Sequence, residues 1–177
     1  MKLFTLIRKQ AKMNFLFLDV DGVLNCMPYC KRTKKNLNEE NIKVLAKACR
    51  KYDFRVVLSS TWRDVPYDHC MWKELVSALN QYDIHIYAKT PVLNFNRPLE
   101  ILTWLRINAH KGDKFVSIDD DYSKEEYAKY SMDKYLVHTD YFCMTEYEGG
   151  LQKYHLPDID ELPRLKPSLR SAIRRGF

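Results

Sequence analysis

The sequence predicts a doubly wound α/β domain, with a Rossmann-like parallel sheet of about five strands and helices on both faces. Three observations predict it. Short apolar runs recur along the chain, helical apolar stripes fall between them, and carboxylates and hydroxyls stand just after the runs. Crossovers in such a sheet are right-handed, and ligands bind outside the carboxyl ends of its strands. Phe15-Leu16-Phe17-Leu18 reads as a buried first strand. Residues 38–51 read as a helix with Ile42, Leu45, Ala46 and Cys49 on one face, followed by Arg55-Val56-Val57-Leu58 as the second strand. A third unit pairs a helix over 71–82, striped by Trp72, Leu75, Val76 and Leu79, with a strand over Ile84-His85-Ile86-Tyr87. Residues 97–109 form a helix with Pro98 in its first turn, where the missing N–H costs little. Phe115-Val116-Ser117-Ile118 and Tyr135-Leu136-Val137 complete the strands.

At 177 residues the chain is sized for one domain. The net charge of +6 is unevenly placed: residues 1–12 carry four bases and 164–177 five, with no acid in either stretch. Without those nine, 20 bases face 23 acids, so the body is slightly acidic. The expected division is therefore a basic extension over 1–13, a folded domain over 14–160 and a basic tail over 161–177. Basic arms attract polyanions, and equally they solubilise. One internal basic run, Lys31-Arg32-Thr33-Lys34-Lys35, falls between the first strand and the first helix. Five cysteines form no CxxC pair and no zinc spacing, and their odd number argues against a disulfide framework; a cytoplasmic setting is expected. The five histidines are scattered, without ligand spacing. No apolar run reaches the ~18 residues of a membrane span.

The chemistry gathers at the strand ends. Asp19-Val20-Asp21-Gly22 follows the first strand, and two carboxylates leaving a buried strand call for a cation such as Mg²⁺. Taken alone, a DxD also serves as a metal clamp in glycosyltransferases or as turn chemistry. Ser59-Ser60-Thr61 follows the second strand and offers hydroxyl donors. Asp119-Asp120-Asp121 ends the fourth, where a metal shared with the first pair would relieve the repulsion. Arg97 stands at a helix start after the third strand, where its charge adds to a helix N-terminus.

These motifs resemble the haloacid dehalogenase (HAD) superfamily. Residues 15–25 match its first motif, Val56-Val57-Leu58-Ser59 resembles its second, and Ile118-Asp119-Asp120 its fourth. Arg97-Pro98 stands where the family usually has Lys-Pro, with Lys89 as the other candidate for that role. Ser59-Ser60-Thr61-Trp62-Arg63, Arg97-Pro98-Leu99-Glu100-Ile101 and a stretch over 139–151 are similar to a small capless subgroup, the HAD domain of Swiss Army Knife RNA repair proteins. The resemblance implies a Mg²⁺-dependent phosphatase in which Asp19 is the nucleophile and forms an aspartyl phosphate, while Asp21 is the acid and base. Ser59 and Arg97 would hold the phosphoryl group; Asp19, Asp21, Asp119 and Asp120 would hold the metal. Arg63 reads either as a substrate contact or as half of a structural ion pair. With no room for a cap, the open site points to a large polyanionic substrate, a nucleic-acid end or nucleotide ahead of a phosphoprotein. Lys31, Arg32, Lys34 and Lys35 on an overhanging flap would then bind it. Two competing readings are a catalytically silent nucleic-acid-binding module, disfavoured by the intact Asp pair, and a response-regulator receiver, disfavoured by the position of that pair after the first strand.

Overall fold

Five parallel strands lie in the order β3-β2-β1-β4-β5, as seen in a computed structural model that describes residues 12–161. They are β1 (Asn14–Leu18), β2 (Phe54–Leu58), β3 (Ile86–Lys89), β4 (Lys114–Asp119) and β5 (Leu136–His138). The helices are α1 (Met27–Thr33), α2 (Glu39–Tyr52), α3 (Cys70–Asn80), α4 (Arg97–Asn108), α5 (Lys124–Ala128) and α6 (Leu156–Asp160). The basic extension and tail expected over 1–13 and 161–177 lie almost wholly outside the described residues. None of the described helices is long and apolar enough to cross a membrane.

The period-2 alternation of β1 separates the two halves of the core. Leu16 and Leu18 face α2, α3 and α6 together with Val56, Leu58, Val116 and Ile118. Phe15 and Phe17 face α4 and α5 with Val57 and Phe115. Trp104 of α4 closes on that second face edge-on, 5.0 Å from Phe15 and 5.4 Å from Phe17 between ring centroids. With residues buried on both faces, β1 reads as an unbroken apolar run, as strands inside a covered parallel sheet must. Burial of each such side chain contributes about 1.5–3 kcal/mol.

Helix starts follow their caps. Asn38 accepts from the Glu40 amide and places Glu39 and Glu40 at the positive end of α2. Asn96 accepts from the Leu99 amide at the start of α4, with Arg97 and Pro98 as the first two helical residues. A capping box formed by Ser123 and Glu126 opens α5.

The short helices α5 and α6 were not read from the sequence, and two of the elements that were read differ in the structure. The third strand begins at Ile86, two residues later than expected. Asp83 adopts a left-handed turn (φ 60°), and Ile84 folds back to donate its amide to Leu79, so its apolar side chain serves the core from a turn. The flap carrying the basic run is a short helix, α1, ended by Lys34 in the left-handed conformation (φ 62°). Only α1 and α2 separate β1 from β2, and a short turn joins α4 to β4, so the fold carries no cap domain.

Candidate active site

Strand register brings the chemistry to one line. Leu18 is level with Leu58 of β2 and with Ile118 of β4, so Asp19, Ser59 and Asp119 come next on three adjacent strands. The ladder continues through them: the Asp19 amide donates to the Ile118 carbonyl and the Ser59 amide to the Leu18 carbonyl. Asp19 therefore leaves the middle strand of the sheet with a carboxylate on one side and a hydroxyl on the other.

Arg97 reaches this line from the first turn of α4. Its Nη1 donates to Asp19 Oδ2 at 2.9 Å and to Asp119 Oδ2 at 2.7 Å, all three side chains being buried. Lys89, the alternative for this position, turns the other way. Its Nζ donates to the Arg63 carbonyl at 2.8 Å and lies over the rings of Trp72 and Tyr67, at 4.0 and 4.4 Å.

The Asp21 side chain is aimed by two donors. Asn25 Nδ2 donates to its Oδ1 at 2.9 Å, and Trp62 Nε1 to its Oδ2 at 2.8 Å. Neither donor role was visible in the sequence, although Asn25 sits four residues from Asp21 in the first motif. Gly22 is required between them. Its φ is +67°, and a Cβ there would fall 2.0 Å from Asp120 Cγ, inside that carboxylate.

Asp19, Asp119 and Asp120 each present an oxygen within 4.8 Å of the others. Burial pushes the Asp120 carboxyl up to about 8, reinforced by Asp121, Asp19 and Asp119. Asp119 is raised by burial and by Asp19, against the pull of Arg97. One guanidinium does not neutralise this group of carboxylates, and a hard divalent cation with oxygen ligands fits the donor set.

Ser59 is completely buried, and its Oγ has no hydrogen-bond partner among the described residues. A buried hydroxyl beside a carboxylate cluster is suited to donate to an anion bound there. Of the two readings of Arg63, the geometry supplies the ion pair: the side chain is buried and donates to Glu100 Oε2 at 3.0 Å and to the Ser60 carbonyl. Glu100 went unread in the sequence. Fully buried, it also accepts from the Leu93 amide and lies 3.8 Å from Arg97 Nε, so it braces both arginines. Its spacing of three from Arg97 was the available signal. Among the flap bases, Arg32 makes a double hydrogen bond to Glu146, while Lys31, Lys34 and Lys35 are exposed.

An all-parallel sheet, a carboxylate pair after its middle strand and the absence of a cap together define a HAD-like, Rossmann-type fold. Residues 15–148 match the family described as the HAD domain in Swiss Army Knife RNA repair proteins, and the chain belongs to that family. No curated protein and no solved structure matches it. Membership implies a phosphatase-type hydrolase activity.

Proposed function

We propose that the protein is a Mg²⁺-dependent phosphomonoesterase acting through an aspartyl phosphate on a nucleic-acid end or nucleotide. The observation that carries this reading is the convergence of Asp19, Asp119 and Arg97, with the unpartnered Ser59 hydroxyl on the adjacent strand.

Asp19 attacks phosphorus in line while the ester oxygen departs, so one difficult hydrolysis becomes two easier steps. Asp21, aimed by Asn25 and Trp62, gives a proton to the departing oxygen and later takes one from the attacking water. Ser59 and Arg97 hold the phosphoryl oxygens, and positioning with charge stabilisation is most of what phosphoryl transfer needs. Asp19, the Asp21 carbonyl, Asp119 and Asp120 would hold Mg²⁺. Bound there, the ion allows an anionic nucleophile to meet an anionic ester.

The substrate class rests on the open site, on the exposed Lys31 of α1 with Lys34 and Lys35 just past its end, and on the family's description. Phosphate contacts of this kind make affinity fall steeply with salt. Turnover of p-nitrophenyl phosphate tests the chemistry: it should require Mg²⁺, stop in EDTA and be lost in Asp19→Asn. Undiminished turnover in EDTA or by Asp19→Asn would refute it. Replacing Lys31, Lys34 and Lys35 by Ala should lower kcat/KM for a phosphorylated oligonucleotide far more than for p-nitrophenyl phosphate. Equal losses would remove the nucleic-acid part of the reading.

A further inference from the structure

The segment from Thr139 to Gly150 forms a wall beside the first motif. It is fastened to the first motif at both ends: Thr139 Oγ1 donates to the Gly22 carbonyl at 2.7 Å, and the Leu151 amide donates to the Val23 carbonyl at 2.7 Å. It is fastened to α1 as well. The Met27 amide donates to the Tyr141 carbonyl, and Arg32 Nε and Nη2 each donate to a Glu146 carboxylate oxygen at 2.7 Å. Tyr141 lies close enough to Asp21 and Asp120 for their charges to act on its hydroxyl, whose pKa rises chiefly through burial and further through Cys30 and these carboxylates.

A wall held this firmly exposes large apolar groups. Phe142 is 78% exposed, Tyr147 79% and Met144 91%. Phe142 makes a T-shaped contact with Tyr141, 4.9 Å between centroids, and still keeps most of its surface in solvent. Isolated exposed apolar residues need no explanation, but a group of them on one anchored segment beside a catalytic site marks a binding surface. The neighbouring positive charge says what binds. Lys31 on α1, and Lys34 and Lys35 just past its end, are exposed, and the wall is tied to that helix. Aromatic faces beside a basic track are the combination that binds single-stranded nucleic acid, whose bases stack while its phosphates meet the lysines. A duplex keeps its bases stacked on one another and would leave these rings unused.

Resting on the reading of Asp19 as a phosphatase nucleophile, we propose that the 139–150 wall and α1 form one single-strand-binding surface. Phe142 and Tyr147 stack on unpaired bases next to the terminal phosphate, and Lys31, Lys34 and Lys35 follow the backbone behind it. Stacking on any base is sequence-tolerant, so the surface selects strandedness rather than sequence.

The test uses the Phe142→Ala/Tyr147→Ala double variant of the full chain, neither residue being part of the catalytic machinery. Both side chains are solvent-exposed, and an unchanged melting temperature confirms the fold. Turnover of p-nitrophenyl phosphate should be unchanged. Affinity for a fluorescently labelled, phosphorylated single strand of twelve mixed-sequence nucleotides, measured on the Asp19→Asn background, should drop about ten- to a hundredfold. The Phe142→Trp/Tyr147→Trp variant should retain the affinity, because any large aromatic face stacks. Binding is read without turnover, so an inactive wild type would sink the phosphatase reading while leaving this measurement able to succeed or fail alone. Equal affinity in the Ala variant, loss of affinity in the Trp variant, or a preference for the same sequence as a duplex would each overturn the proposal.

Discussion

Ser59 gives up hydrogen bonding in order to stand where it does. Its hydroxyl is buried without a partner among the described residues, an arrangement that costs about 1–3 kcal/mol. Ser59→Ala should therefore leave the fold as stable or raise stability by about 1 kcal/mol, while kcat/KM falls by about 10². Parallel melting curves and kinetics would read this, and a destabilised variant with full activity would assign Ser59 to the framework instead. Asp21 poses a complementary question, because its two oxygens are already aimed by Asn25 and Trp62. Asp21→Asn should lose about 10² to 10⁴ in turnover, while kcat/KM, which reads the phosphorylation step, should fall less for an ester of an acidic alcohol whose departure needs no proton. Equal losses of kcat/KM on both ester types would exclude Asp21 as the acid.

At the scale of elements, the loop after β2 and the start of α4 are locked together by Glu100. Glu100→Gln leaves Arg63 without its buried counter-charge, and breaking a buried pair costs about 3–5 kcal/mol. The melting temperature should fall sharply and activity with it, since Arg97 loses its brace; a wild-type melting curve would show the network to be slack. This clamp also marks the limit of what the sequence disclosed. Asp19, Ser59, Arg97 and Asp119 were legible because apolar strands announce their own ends, and a parallel sheet aligns those ends. Glu100, Trp62 and Asn25 were not, because each acts by reaching a residue on another element, and periodicity carries no information about such distances. The start of β3 slipped for a related reason. Ile84 is as apolar as a strand residue, but the left-handed turn at Asp83 spends it on the core before pairing begins. Helix α1 is too short, and too bare of buried residues, to have left a stripe.

Across the whole molecule, the carboxylates at the carboxyl end of the sheet tie stability to pH and to metal. The Asp120 carboxyl, pushed up to about 8 by burial and its neighbours, holds a proton in the folded state that the unfolded chain has already released. Its contribution is full below the ordinary carboxylate pKa of about 4 and is lost as pH rises toward 8. A cation that replaces the proton should restore it. Mg²⁺ should accordingly raise the melting temperature more at pH 8 than at pH 5.5, with each pH compared against its own EDTA control. An equal or larger rise at pH 5.5 would show that the ion binds elsewhere.

All of this turns on Asp19 carrying the phosphoryl group, and that can be seen directly. Asp21→Asn should still form the intermediate from p-nitrophenyl phosphate, whose leaving group needs no acid, yet hydrolyse it slowly for want of a base. Acid-quenching that variant during turnover with Mg²⁺, then weighing its peptides, should find one phosphoryl group on the peptide containing Asp19. The Asp19→Asn/Asp21→Asn protein should show none. Phosphate release by the wild type, with no adduct on Asp19 in the slowed variant or with the adduct on another residue, would contradict the account.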